Sequence, residues 1–115
     1  MNYIFENWKL DSLSPDEKII KFEEEKYVGL EDLLNSTNTI SLDDILTKIN
    51  LVLNGESCFE EIGNERSMAE IKKEKTEIYD LFDGLIPDES LNSTIIIETE
   101  KLKSIIVEFK KVSKK

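Results

Sequence analysis

Histidine is absent from this chain of 115 residues, and cysteine occurs only once. Histidine is the most common general base and the most common metal ligand, so Ser-His and Cys-His catalytic pairs are excluded. A zinc site built from cysteine and histidine is excluded for the same reason. The four glycines are isolated from one another, so there is no glycine-rich phosphate loop. We therefore predict that the protein is not an enzyme and binds neither a metal ion nor a cofactor.

The single cysteine and the lack of long apolar runs indicate where the protein works. Cys58 has no partner for an internal disulfide, which suits a reducing compartment. No run approaches the ~20 apolar residues of a membrane span, and the first ten residues lack the apolar segment of a signal peptide. We predict a cytoplasmic protein without membrane contact, in which Cys58 is a buried or half-buried structural residue and not a nucleophile.

Basic residues are scarce relative to acidic ones, since 15 Lys and Arg stand against 25 Asp and Glu, for a net charge of -10. Residues 56–89 are the most acidic part, with 11 acidic and 4 basic residues. Such a field repels nucleic acid and anionic membranes and speeds encounters with basic proteins. Nuclease domains are a common kind of basic protein, because they hold phosphates. The alternative is that the acidity serves only solubility.

The whole chain contains only two prolines, no long linker and no internal repeat, so we treat residues 1–115 as one domain. Tyr3 and Phe5 begin a predicted strand or extended arm, with Trp8 as a core residue or a binding anchor. Ser14 and Pro15 are typical of a helix start, which predicts a helix through "KIIKFEEEKYV", although the same letters also fit a strand.

Two further helices are predicted before the middle of the chain. A short helical turn is expected at "LEDLLNS". A firmer helix starts at the cap residue Ser41, follows an apolar stripe from Leu42 to Leu53 and stops at Gly55.

The second half is rich in β-forming residues. The segments "CFEEIG", "SMAEIKK" and "TEIYDLFD" predict strands, the last two as a hairpin, and "TIIIE" predicts a buried strand. A Thr99-capped helix follows, with an apolar stripe of Leu102, Ile105, Ile106, Phe109 and Val112. The predicted fold class is α+β: N-terminal helices, a three- or four-stranded antiparallel meander, and a C-terminal helix packed on the sheet.

Ten acidic residues and one tyrosine fall in or beside the predicted meander and are our candidates for partner binding. If helices cover one face of the sheet, some of these acids gather on the other face as a negative surface. Alternatively they are scattered and solvated. Tyr79 adds an aromatic group of the kind found at the centre of binding surfaces, unless its strand is buried on both faces. The candidates are Glu60, Glu61, Glu65, Glu70, Glu74, Glu77, Tyr79, Asp80, Asp83, Asp88 and Glu89.

The segments "GNERSMAEIKKEKTEIYDLFDG" and "TIIIETEKLKSIIVEF", within residues 63–109, resemble the C-terminal halves of small immunity proteins. These belong to bacterial contact-dependent growth inhibition and related polymorphic toxin systems. The resemblance covers under half of the chain and rests on the arrangement of elements. It implies a cytoplasmic protein that binds one cognate toxin domain, often an RNase acting on tRNA, and blocks it. No inhibitory residue is carried over, because such families diverge at the binding surface.

Composition and resemblance together predict an immunity protein that covers the basic substrate cleft of a nuclease toxin, as a monomer in a 1:1 heterodimer. It binds no nucleic acid directly. The first alternative is an acidic nucleic-acid mimic or regulatory protein that binds other basic proteins. A structural subunit of a larger assembly and an enzyme that uses carboxylates are the remaining alternatives; the latter would need a concave pocket with an acid of raised pKa.

Overall fold

A computed structural model describes residues 1–8, 17–36 and 40–113 of the chain, and the Trp8 side chain is not among the described parts. The first two strands, β1 (Tyr3–Trp8) and β2 (Glu17–Phe22), form an antiparallel two-stranded sheet in which Phe5 lies opposite Ile20. The strand predicted at the start of the chain is confirmed. The predicted helix start at Ser14 and Pro15 lies outside the described residues.

The helix predicted through "KIIKFEEEKYV" is wrong, because its first five residues lie in strand β2. Ile20 and Phe22 are buried while Lys21 between them is exposed, so the segment follows a period of two. The local sequence fits a helix and a strand about equally, and the pairing with β1 makes it a strand. Helix begins only later, after a 3-10 turn at Glu25–Tyr27.

The described part of the chain contains three α-helices. They are α1 (Val28–Leu34), α2 (Leu42–Leu53) and α3 (Thr99–Ser113). Helix α2 has the predicted cap: the Ser41 hydroxyl accepts from the Asp44 N–H at 3.0 Å, and the Asp44 carboxylate accepts from the Ser41 N–H at 3.1 Å. Gly55 ends this helix with a φ of 80°, which side chains with a Cβ rarely adopt.

The second sheet is a four-stranded antiparallel meander in chain order. Its strands are β3 (Glu60–Gly63), β4 (Ser67–Ile71), β5 (Lys75–Asp80) and β6 (Ile95–Glu98). The α+β class, the meander and the C-terminal helix on the sheet are therefore as predicted, while a two-stranded sheet precedes the N-terminal helices. No helix among residues 1–8, 17–36 and 40–113 is long and apolar enough to cross a membrane.

One hydrophobic core joins the two sheets through the helices. Helix α2 contacts β3 and β4, α1 contacts β4 and β5, and α3 contacts β5 and β6, so all three lie on one face of the meander. Strand β2 packs on α1 and α3, and the Phe5 ring stacks on Phe109 of α3 at 5.5 Å between centroids. In the predicted stripe of α3, Val112 alone is exposed, and the other four residues are buried.

Two predictions for the last strand and helix need correction. Strand β6 is not buried on both faces, because the Ile96 side chain is 65% exposed. Thr99 is the first residue of α3 and not the cap residue before it. Its hydroxyl bonds to the Thr76 hydroxyl at 2.9 Å and donates to the Lys72 carbonyl, so Thr99 fastens the helix start to the meander.

Candidate partner-binding face

The meander has an inner face under the helices and an outer face open to solvent. Along β4, Ser67, Ala69 and Ile71 are buried, while Met68 and Glu70 between them are half-buried. Strands β5 and β6 alternate in the same way. Because successive side chains of a strand point to opposite faces, the second set forms an outer face that no described helix covers.

Three glutamates from three adjacent strands meet in register on this outer face. Glu61 of β3 lies opposite Glu70 of β4, and Glu70 lies opposite Glu77 of β5. We call Glu61, Glu70 and Glu77 the glutamate row. The Asn64 N–H donates to the Ser67 carbonyl at 3.0 Å, and hydrogen-bonded pairs alternate along an antiparallel ladder. Glu61 and Glu70 are therefore a non-hydrogen-bonded pair, the type in which side chains lie closest.

The glutamate row carries three negative charges without a bound counter-charge. None of the ion pairs formed by the described residues includes Glu61, Glu70 or Glu77. Like charges directly opposite each other on neighbouring strands destabilise a sheet. The row thus lowers the stability of the free protein, and a cationic group placed over it would relieve the repulsion.

Tyr79 lies beside the row on the same face of β5, two residues from Glu77. Its partial burial, and then the negative charges of Glu70, Glu61 and Glu77, raise the pKa of the Tyr79 hydroxyl above its ordinary value. The phenol therefore stays neutral and able to donate a hydrogen bond. A half-buried aromatic ring beside uncompensated carboxylates has the composition of a protein-binding centre.

Apolar groups complete the outer face around the row. Met68 lies opposite Tyr79, and the exposed Ile96 lies opposite Glu77. Gly63, opposite Met68, has no room for a side chain, because an added Cβ would approach the Ser67 carbonyl oxygen to 2.5 Å. The face is thus a strip of carboxylates flanked by a thioether, a phenol and an isoleucine, with one cation, Lys75 of β5, opposite Glu98 at the end of the strip.

Glu60 and Asp80, two of the eleven predicted binding residues, do not lie on the outer face. Glu60 points the other way and pairs with Lys48 at 3.0 Å, while it accepts from the Ser57 hydroxyl at 2.6 Å. These bonds from Ser57 and Lys48 lower the pKa of the Glu60 carboxyl. Asp80 is 6% exposed and sits under the sheet.

Asp80 is the centre of a polar cluster that ties the loop after β5 to the sheet. Its Oδ2 accepts from Arg66 Nη2 at 2.9 Å, from Arg66 Nε at 3.1 Å and from the Asn92 N–H at 2.9 Å. Its Oδ1 accepts from the Phe82 N–H at 2.9 Å. Arg66 also donates to the Ser90 carbonyl at 2.9 Å. We call these residues the Asp80 cluster, and its role is structural.

The remaining predicted acids are exposed in connections between the elements, and the register of the sheet does not bring them together. They are Glu65, Glu74, Asp83, Asp88 and Glu89. The strand predicted at "TEIYDLFD" is also shorter than expected, because β5 ends at Asp80 and Leu81 lies in the following turn. The prediction of one negative surface therefore reduces to Glu61, Glu70, Glu77 and Tyr79.

Four neighbouring residues on this face were not among the predicted binding residues: Met68, Lys75, Ile96 and Glu98. The signal for Ile96 was present in the alternation of β6, where the buried Ile95 and Ile97 leave the residue between them outside. Elsewhere, Cys58 is exposed, contrary to the expected structural position. Within residues 1–8, 17–36 and 40–113, no group of three or more Cys, Asp and Glu side chains is placed to hold a metal ion.

Comparison with known protein families, with curated proteins and with solved structures finds no match to this chain. The geometry of the outer face and the resemblance noted from the sequence are therefore the grounds on which a function is proposed.

Proposed function

We propose that the chain is an immunity protein that docks the outer face of its meander on the basic nuclease domain of a cognate toxin and blocks it. The glutamate row is the observation that carries the docking surface, because its three carboxylates lie in register, form no ion pair with a described residue and stand on a face that no described helix covers. The toxin as partner rests on the resemblance of residues 63–109 to immunity proteins.

A basic substrate cleft supplies the positive charge that the glutamate row lacks. Lysine and arginine side chains that hold phosphates in such a cleft would pair with Glu61, Glu70 and Glu77 and end their mutual repulsion. Met68 and Tyr79 would exclude water around those pairs, which strengthens them. Occupation of the cleft then keeps RNA out, and the net charge of -10 speeds the encounter.

Reversing the central charge of the row tests this proposal. Glu70→Lys is expected to weaken partner binding at least tenfold, yet to raise the free energy of unfolding by about 0.5 kcal/mol, because two repulsive cross-strand pairs become attractive. Tagged chains are expressed in cells that carry the native locus, and captured proteins are quantified by mass spectrometry across salt concentrations. The captured partner is then purified and assayed for RNA cleavage with and without the chain.

Glu56→Lys is the matched control, since it makes the same change of charge at an exposed residue just after α2 and away from the sheet. The proposal requires one stoichiometric basic partner for the wild type and this control, and its loss for Glu70→Lys. Equal capture by all three chains would exclude the outer face. Several unrelated basic proteins, all released by moderate salt, would instead indicate an acidic mimic or regulatory protein.

A further inference from the structure

Strand β6 is an edge strand with one unpaired side. The Thr99 N–H donates to the Glu74 carbonyl at 3.0 Å, in line with the register of β5 and β6. Hydrogen-bonded pairs alternate along an antiparallel ladder, so Ile95 and Ile97 bond to β5, whereas the N–H and C=O of Ile96 and Glu98 point away from it. Among the described residues no strand pairs with this side of β6. The Glu98 C=O accepts the first N–H of helix α3, so the open groups are the N–H and C=O of Ile96 and the N–H of Glu98.

This edge lacks the protection that two other strand edges have. At β2, the Asn35 amide closes the edge, because it accepts from the Ile20 N–H and donates to the Ile20 carbonyl, both at 3.0 Å. At β3, the charged side chain of Glu61 stands at the edge. Strand β6 has one charged side chain, Glu98, at its C-terminal end, and offers the exposed Ile96 before it. An open apolar edge is a template for another strand.

We propose that β6 receives an extended basic strand of the partner, paired antiparallel, which lengthens the meander to five strands. This inference rests on the proposed function and names how the same partner engages the sheet. The strand would alternate apolar residues, which extend the inner face beside Ile95 and Ile97, with lysine or arginine on the outer face.

Charge decides what kind of strand fits. A lysine on the added strand lies beside Glu98 or beside Ile96, and Glu77 is the next residue across the sheet from Ile96. Two strand spacings amount to about 10 Å, which extended lysine and glutamate side chains span together. The lysine stem then covers the exposed Ile96 while its ammonium group reaches the glutamate row.

A second copy of the chain is a poor occupant of this edge. Pairing β6 with β6 would bring two molecules of net charge -10 together and place Glu98 and the glutamate rows of both copies on one continuous face. A basic strand removes that repulsion, whereas a second copy increases it.

The probe for this proposal is a blocked, fluorescently labelled peptide of eight alternating valines and lysines, titrated at low salt against the full chain. Ile96→Pro removes the outward N–H without removing a bond to β5, and edge strands tolerate proline. We expect the dissociation constant of the alternating peptide to be at least tenfold higher for Ile96→Pro than for the wild type. For Ile96→Val it should stay within twofold of the wild-type value. In the wild type, the peptide should slow hydrogen exchange of the Ile96 and Glu98 amides.

A peptide of four lysines followed by four valines has the same charge and controls for attraction alone. Equal binding of both peptides, unchanged exchange at Ile96 and Glu98, or no binding of the alternating peptide would overturn the strand proposal. A wild-type dimer that Ile96→Pro abolishes would assign the edge to a second copy and overturn it too. The docking face itself is tested separately, by the capture experiment with Glu70→Lys, whose result does not depend on the peptide.

Discussion

Replacement of Asp80 by alanine is expected to lower the free energy of unfolding by about 3 kcal/mol, which is typical when one partner of a buried ion pair is removed. The carboxylate accepts bonds from Arg66 and from the N–H groups of Phe82 and Asn92. Without it, Arg66 loses its charged partner and two loop amides lose their acceptor. Urea denaturation followed by circular dichroism measures the change.

Asp83→Ala is the matched control, because Asp83 is exposed in the same turn and is expected to change the stability by under about 0.5 kcal/mol. Asp80→Asn should fall between the two, since its amide oxygen can still accept from a loop N–H. A loss for Asp80→Ala no larger than that for Asp83→Ala would mean that the loop after β5 is held by other contacts.

The same carboxyl predicts how stability depends on pH. Burial alone would raise the pKa of Asp80, but the Arg66 guanidinium and the N–H groups of Asn92 and Phe82 hold it below its usual value. Its stabilising contribution is therefore fully present above the unfolded-state pKa of about 3.9 and is lost as the pH falls towards the lowered folded-state pKa. In denaturation series from about pH 6 to about pH 2.5, which brackets that value, the free energy of unfolding should fall less steeply with acid for Asp80→Asn than for the wild type.

Asn35→Ala is expected to destabilise the protein by about 2–4 kcal/mol. The Asn35 amide stands in for a missing strand at the edge of β2, where it satisfies both backbone groups of Ile20. Ile20 is fully buried, so water cannot readily replace those bonds, and each unsatisfied buried group costs about 1–3 kcal/mol.

Asn54→Ala provides the comparison, because Asn54 also follows a helix but is exposed and has no described side-chain bond. Hydrogen exchange adds a local measurement. In Asn35→Ala the protection of the Ile20 amide should fall by more than the change in the global free energy of unfolding explains, while protection of the β4 and β5 amides should fall only by that amount. Retained protection at Ile20 would show that the Asn35 contact contributes little.

The sequence predicts the later elements better than the earlier ones, for a physical reason. In α2, the cap, the stripe and the glycine stop agree with one another, and in β4 the alternation of Met68, Ala69 and Glu70 allows one answer. In "EKIIKF" two adjacent isoleucines fit a helix and a strand about equally. Pairing with β1, a contact between distant parts of the chain, makes the choice, and local patterns carry no information about it.

The candidate site was predictable as a composition but not as an arrangement. Sequence spacing places Glu70 and Glu77 on strands, yet only the register makes them neighbours of Glu61. The same reasoning could not tell Asp80 from Glu77, since both are acids of one strand. The two residues lie on opposite faces of β5: the Asp80 carboxylate is buried against Arg66, and the Glu77 carboxylate is exposed.

The stacking of Phe5 on Phe109 and the bond from the Tyr3 hydroxyl to Glu108 at 2.8 Å have a consequence for synthesis. These contacts join Tyr3 and Phe5 to residues that leave the ribosome more than a hundred positions later. Strand β2 cannot bury Ile20 and Phe22 fully until α3 has emerged, so the nascent chain exposes apolar surface while the residues between them are synthesised. Folding is therefore completed after synthesis of α3, and a partner that needs the finished sheet meets a competent chain only from that moment.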